Sequence, residues 1–152
     1  MFRFRLACFL HCMTLLSSVA SATMTGSDAV KQMHDLYGTY SCVLGGKKVD
    51  LTFEPMFGGR SMRITNSGGD AEMVSFDVRR QLWIDESIQA HGTYSVMEGV
   101  SVKQGIDFKA VYPPGFDGAL AVRNLTPKMM TTAFSMTQTG AKKTVRQTCV
   151  KS

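Results

Sequence analysis

The sequence predicts an all-β domain, an antiparallel up-and-down barrel of about nine or ten strands that follows one short N-terminal helix. Beyond residue 38, apolar side chains recur at every second position in short runs. Turn-forming residues separate these runs at intervals of about 8–12 residues, which is typical of a β-sandwich or a β-barrel. Cys42 and Cys149 lie in the first and the last run, so a disulfide between them would join the ends of the sheet and favours a barrel.

The first 22 residues have the organisation of a secretory signal peptide. Two arginines supply the charged region, residues 6–19 supply the apolar region, and an Ala-Ser-Ala sequence at the end supplies the cleavage pattern. The apolar run is too short to span the ~30 Å hydrocarbon core of a bilayer. We therefore expect a signal peptide in residues 1–22, one domain over residues 23–152, and a periplasmic or secreted protein with no membrane span after cleavage.

The chain that follows the signal peptide holds two cysteines and little excess charge. An exported protein folds in an oxidising compartment, where two thiols usually pair, so we expect a Cys42–Cys149 disulfide. Loss of the two signal-peptide arginines lowers the formal net charge from +5 to +3, and the remaining basic residues are dispersed. Nucleic-acid binding, which needs clustered basic residues with interleaved aromatic ones, is therefore not expected.

The helix is predicted for residues 27–37. Ser27 is a suitable N-cap, and Val30, Met33 and Leu36 recur at helical spacing to form one apolar face. Gly38 ends the pattern. Because a helix of about ten residues is marginal in isolation, we expect its apolar face to pack against the barrel.

The strands are predicted from alternating apolar and polar residues. In the first half of the domain, the alternating runs are residues 40–44, 49–54, 62–65, 74–78 and 82–89. In the second half, Gly99 and Gly105 are interpreted as breaks, and the runs are residues 93–97, 100–104, 106–112, 119–125, 129–137 and 144–150. Residues 55–59 and the Pro-Pro-Gly sequence at residues 113–115 are predicted loops.

The alternation also assigns faces to the run at residues 82–89. Leu82, Ile84 and Ile88 mark an apolar face that we expect to point into the barrel, and Glu86 shares that face. Trp83 is expected to point outward or to pack against the leading helix. If the parity is reversed by one residue, the candidate site transfers to Trp83, Asp85 and Ser87. A charge on an inner face needs a partner or water, so Glu86 is a candidate polar anchor for a ligand.

Two arginines and a methionine complete the set of ligand-binding candidates. In an extended strand, Arg60 would lie on the same face as Met62, and Arg123 would lie on the same face as Leu125. An interior pair of glutamate and arginine would offset the cost of burying each charge. Alternatively, these charges lie at the barrel mouth, or a bulge reverses the parity.

Methionine side chains adapt to irregular cavities, and a methionine-rich lining suits a permissive apolar pocket. The methionines considered for such a lining are Met62, Met73, Met97, Met130 and Met136.

The chemistry-bearing residues form no catalytic or metal-binding pattern. No serine is placed in a strained turn beside a base, and no glycine-rich phosphate loop precedes a helix. His34 and His91 are the histidines that follow the signal peptide, and neither has metal-ligand spacing. We therefore expect no enzyme, no cofactor and no metal site.

Several short motifs resemble those of one family. Residues 38–40 (Gly-Thr-Tyr) are similar to the opening of the first lipocalin strand. Residues 53–60 (Phe-Glu-Pro-Met-Phe-Gly-Gly-Arg) resemble the strand-to-strand step of a bacterial domain family of unknown function with a lipocalin-like barrel. Residues 76–83, 125–129 and 148–151 resemble its next hairpin, its penultimate turn and its closing strand. The resemblance implies a single lipocalin-like β-barrel over residues 23–152.

A barrel of this kind implies binding rather than catalysis. The expected function is exported binding of a small apolar or amphipathic ligand, with the ligand-binding candidates Glu86, Arg60, Arg123 and Met62. The alternative is a periplasmic protein-interaction module with a protein partner, because Tyr40-Ser41-Cys42 is also similar to the start of lysozyme-inhibitor barrels. Haem-binding relatives need a histidine late in the chain, and none follows His91.

Overall fold

A computed structural model describes residues 23–44, 46–138 and 141–152, and the predicted signal peptide lies outside them. The described residues form ten strands, one α-helix and one short 3-10 turn. Each strand pairs with its neighbours in sequence, and the last strand pairs with the first, so the sheet is a closed antiparallel up-and-down barrel. The predicted fold class is confirmed.

The helix α1 spans Gly26–Leu36. The 3-10 turn Phe57–Gly59 connects the second strand to the third. The strands, numbered in chain order, are β1 (Gly38–Leu44), β2 (Lys47–Met56), β3 (Ser61–Asn66), β4 (Ala71–Asp77), β5 (Leu82–Ile88), β6 (Tyr94–Val102), β7 (Gly105–Tyr112), β8 (Gly118–Arg123), β9 (Met129–Gln138) and β10 (Ala141–Lys151).

The barrel closes where β1 pairs with β10. The register places Tyr40 opposite Lys151 and Cys42 opposite Cys149. The two cysteine sulfurs are 2.09 Å apart in a disulfide that links positions 107 residues apart in sequence. The expected pairing of Cys42 with Cys149 is confirmed.

The helix packs over one end of the barrel. Its N-cap is Thr25 and not the predicted Ser27, because the Thr25 hydroxyl accepts the backbone N–H of Asp28 (3.1 Å) and the Asp28 carboxylate accepts the N–H of Thr25 (3.1 Å). This reciprocal capping satisfies two backbone donors that the helix itself leaves unpaired. The buried residues of the helix are Ala29, Met33 and Leu36.

Aromatic side chains fill the barrel beneath the helix. Trp83 is buried against Phe76, with ring centroids 5.0 Å apart, and its indole N–H donates to the hydroxyl of Ser101 (3.0 Å). Tyr40 packs edge-on against Phe53, also with centroids 5.0 Å apart. Because these large side chains occupy the helix end, free space in the interior lies towards the opposite end.

Gly99 belongs to the continuous strand β6, where the sequence analysis predicts two strands separated at this glycine. Gly99 lies opposite Trp83 on β5 and opposite Phe108 on β7. A Cβ atom at position 99 would lie 2.6 Å from the Phe108 ring. Glycine therefore makes room for a large aromatic side chain at this position and does not end the strand.

Removal of the disulfide is expected to destabilise the barrel strongly. A cross-link that closes a loop of about 100 residues contributes about 4.7 kcal/mol through the reduced entropy of the unfolded chain. We expect the Cys42→Ala/Cys149→Ala variant to lose about 4 kcal/mol in its free energy of unfolding, measured by urea denaturation against the oxidised parent. The parent in a reducing agent is the control and should lose a similar amount. A loss below about 1 kcal/mol in both would contradict this account.

Candidate functional site

A cavity of about 680 Å³ occupies the barrel interior. It extends from Leu36 of the helix to the loops at the opposite end, where Asn66, Gln89, Pro113 and Phe116 line its rim. Among the described residues, no helix covers that end. Sites for small organic ligands commonly measure about 300–1,000 Å³, so the cavity has the size of such a site.

Apolar side chains form most of the cavity wall. They come from alternate positions of the strands, because successive residues of a strand face opposite sides of the sheet. Of the five methionines considered in the sequence analysis, four line the cavity and Met73 does not. The apolar lining includes Val49, Leu51, Phe53, Met62, Ile64, Val74, Met97, Ile106, Phe108, Leu120, Val122, Met130, Phe134, Met136 and Val145.

A group of polar side chains interrupts this wall on three neighbouring strands. We define the polar strip as Glu72 on β4, Asp85 and Ser87 on β5, and Ser95 on β6. The register places Glu72 opposite Ser87 and Ser87 opposite Ser95, and the two serine hydroxyl oxygens are 2.7 Å apart. Cross-strand pairing therefore brings residues that are distant in sequence together on one wall.

Asp85 lies deeper in the cavity than the rest of the polar strip. The register places it between Val74 and Met97, and it is 5% exposed. Its Oδ1 atom is buried and has no hydrogen-bond partner. The described residues that line the cavity include no lysine, arginine or histidine, and none of the ion pairs in this part of the chain involves Asp85. A buried carboxylate without a partner lowers stability.

Burial raises the pKa of both carboxyl groups of the polar strip. The pKa of Glu72 rises to about 7, mainly because burial disfavours the charged form and secondarily because Asp70 is negatively charged. The pKa of Asp85 rises well above its usual range, first through burial and then through the charges of Glu72 and Glu86. Both groups therefore keep their protons at pH values where surface carboxyl groups are ionised.

Asp70 at the rim differs from these two residues because its carboxylate is hydrogen-bonded. The backbone N–H of Ala90 donates to its Oδ1 atom (2.8 Å), and the side-chain amide of Asn66 donates to its Oδ2 atom (2.7 Å). These hydrogen bonds, the one from Ala90 first, lower the pKa of Asp70. Asp70 joins the β3–β4 turn to the segment that follows β5.

Glu86 lies on the outer face of β5, so its predicted inward direction is wrong. Its sequence neighbours Asp85 and Ser87 line the cavity, and strand geometry puts Glu86 on the opposite face. Its carboxylate accepts a hydrogen bond from the hydroxyl of Tyr94 (2.9 Å). Trp83 shares the inner face with Asp85, so the outward direction predicted for Trp83 is also wrong.

Met62, one of the four ligand-binding candidates, lines the cavity. Arg123 lies on the outer face of β8, where its guanidinium pairs with the carboxylate of Asp107 on β7. Its parity with Leu125 is broken because β8 ends at Arg123 and Asn124 adopts a left-handed conformation (φ 51°).

Arg60 is exposed and lies just before β3 begins, so strand alternation does not extend to it. It borders a small crevice beside α1, together with Val30 and Phe76. The structure therefore does not bring Arg60, Glu86 and Arg123 together in the interior.

Reversed parity of residues 82–89 predicts Asp85 on the inner face, whereas Glu72 is not among the predicted residues, although a signal for it exists. A four-residue turn joins β4 to β5, and the register pairs Phe76 with Trp83. This pairing places even positions of β4 on the same face as odd positions of β5. Because Phe76 faces inward, Glu72 on its own strand and Asp85 on the next strand also face inward.

No protein-family model matches the chain, and no curated protein is significantly similar to it. Within the described residues, no helix has both the length and the apolar character needed to cross a bilayer. The same part of the chain contains no group of three or more histidine, cysteine, aspartate or glutamate side chains arranged to hold a metal ion. Function is therefore inferred from the cavity and its polar strip.

The buried carboxyl groups should make the protein less stable as the pH rises through 7. A raised pKa means that the folded state binds the proton more tightly than the unfolded state. The resulting stabilisation is complete below the unfolded value of 4.5 and disappears as the pH passes the folded value of about 7. Between pH 5 and 8, we expect Glu72 to lower the free energy of unfolding by roughly 2–3 kcal/mol. Glu72→Gln should remove most of this fall in urea denaturation series.

The control for this measurement is Asp50→Asn, which changes an exposed residue on β2. This variant should keep the pH dependence of the parent. A Glu72→Gln variant that also keeps it would show that Glu72 does not have a raised pKa.

Proposed function

We propose that the protein is an exported, non-catalytic β-barrel that binds a small apolar or amphipathic ligand in its interior. The observation that carries this proposal is the cavity of about 680 Å³ inside the closed barrel. A tightly packed barrel would have its interior filled by side chains, as small barrels do. Here aromatic residues fill only part of the interior at the helix end, and the cavity extends from Leu36 to the opposite end.

The composition of the wall supports an apolar or amphipathic ligand. Transfer of apolar surface from water into such a site contributes roughly 25 cal/mol for each Å² buried. Methionine side chains from β3, β6 and β9 line the cavity. Because the thioether side chain is flexible and polarisable, the wall can adapt to ligands of more than one shape.

Two features support export to the periplasm or the extracellular space. Residues 1–22 have the sequence organisation of a signal peptide. The Cys42–Cys149 disulfide is compatible with an oxidising compartment. We extend the proposal to membership of the lipocalin-like barrels, supported by the closed meander with a cavity. Lipocalin barrels have eight strands, so the ten-stranded barrel described here would be a distant member.

Binding of the uncharged fluorescent dye N-phenyl-1-naphthylamine tests the proposal. We expect saturable binding with enhanced fluorescence, because the apolar wall excludes water from the dye. Leu120→Trp places a larger side chain in the cavity and should weaken binding at least about tenfold. The matched control, Ala119→Trp, adds the same side chain at an exposed position of the same strand and should leave binding unchanged.

Circular dichroism should confirm that both tryptophan variants are folded. Absence of saturable dye binding to the parent, or equal loss of binding in the two variants, would contradict an interior binding site. Native mass spectrometry of protein purified from its host should additionally detect a bound molecule of small-ligand mass.

A further inference from the structure

We propose that the cavity selects amphiphilic organic cations, in which a protonated amine is attached to an apolar body. Asp85 and Glu72 would hold the amine, and the apolar wall would hold the body. This inference rests on the proposed function and specifies the ligand class. It is carried by the buried Oδ1 atom of Asp85, which has no hydrogen-bond partner, together with the position of Asp85 on the cavity wall.

When Asp85 is ionised, the missing partner of its unpaired oxygen is a hydrogen-bond donor. Buried polar atoms nearly always have a partner, and each exception calls for an explanation. The cavity wall in the described residues supplies no cationic side chain to Asp85. A ligand ammonium group has three donors and a positive charge, so it would satisfy the oxygen and offset the negative charge at once.

The other charged groups near Asp85 favour a cation further. Glu72 lies beside it on β4, and Glu86 lies on the outer face of its own strand; both add negative potential. Asp70 at the rim acts on Glu72 in the same direction, and His91 lies near Asp70. A ligand carboxylate or phosphate would be repelled by these groups, whereas a cation would be attracted.

The geometry of the barrel places the apolar wall across from the two carboxyl groups. In a closed ring of ten strands, β9 is five strands away from β4 and therefore faces it across the interior. Met130, Phe134 and Met136 of β9 line the cavity on that side. A ligand with one charged end and an apolar body would fill both halves of the site.

The raised pKa values of Glu72 and Asp85 are consistent with this arrangement. Without a ligand, each carboxyl favours its neutral form because burial penalises the charge. A bound cation would favour the ionised form, so binding would convert a destabilising feature into a charge-assisted hydrogen bond.

The test is displacement of N-phenyl-1-naphthylamine at pH 8 by three ligands with the same alkyl chain: decylamine, decanol and decanoate. In the parent protein, decylamine should displace the dye at a concentration at least about tenfold lower than decanol, and decanoate should be weaker than both. Asp85→Asn keeps the size of the side chain but removes its charge, and it should abolish the preference for decylamine over decanol.

Glu86→Gln is the matched control, because it removes the adjacent carboxyl on the outer face of the same strand and should keep most of the preference. Glu72→Gln should weaken the preference and provides a second test if Asp85→Asn does not fold. Equal displacement by decylamine and decanol in the parent, or an unchanged preference in both interior variants, would overturn the cation inference while leaving the proposed function intact. If the dye does not bind the parent at all, the proposed function fails first.

Discussion

The pairing of β1 with β10 is the contact on which the rest of the structure depends. An open meander of ten strands would leave two edge strands with unpaired backbone groups, and it would enclose no interior. The disulfide fixes the contact in the register that places Cys42 opposite Cys149. Because each strand pairs with the next around the ring, that register is consistent with one set of inward-facing positions throughout the barrel.

Aromatic side chains narrow the closed barrel beneath the helix, and the cavity extends from there to the opposite end. The helix and the aromatic pairs around Trp83 and Tyr40 pack at one end, whereas the polar strip lies on the cavity wall. Asp85 would destabilise a purely structural interior when ionised. A local conflict of this kind, in a cavity and with a raised pKa, is typical of a functional position.

Local patterns predicted the helix, the alternation of most strands and the disulfide, because each depends on nearby residues or on the compartment. They failed where a face had to be assigned to β5. Ile84 and Ile88 are apolar but lie on the outer face, whereas Asp85 and Ser87 are polar and line the cavity. Hydrophobicity alone therefore assigns the wrong face of β5 to the interior. The pairing of Phe76 with Trp83 across the turn gives the correct inner face.

Proton release on binding measures most directly whether the interior carboxyl groups interact with a bound cation. Calorimetric titration with decylamine at pH 7, in two buffers of different ionisation enthalpy, gives the number of protons released. We predict release from the parent, because the cation favours ionised Glu72 and Asp85, and none from Glu72→Gln/Asp85→Asn. Binding of decylamine to the parent without proton release, or equal release from the double variant, would contradict the account.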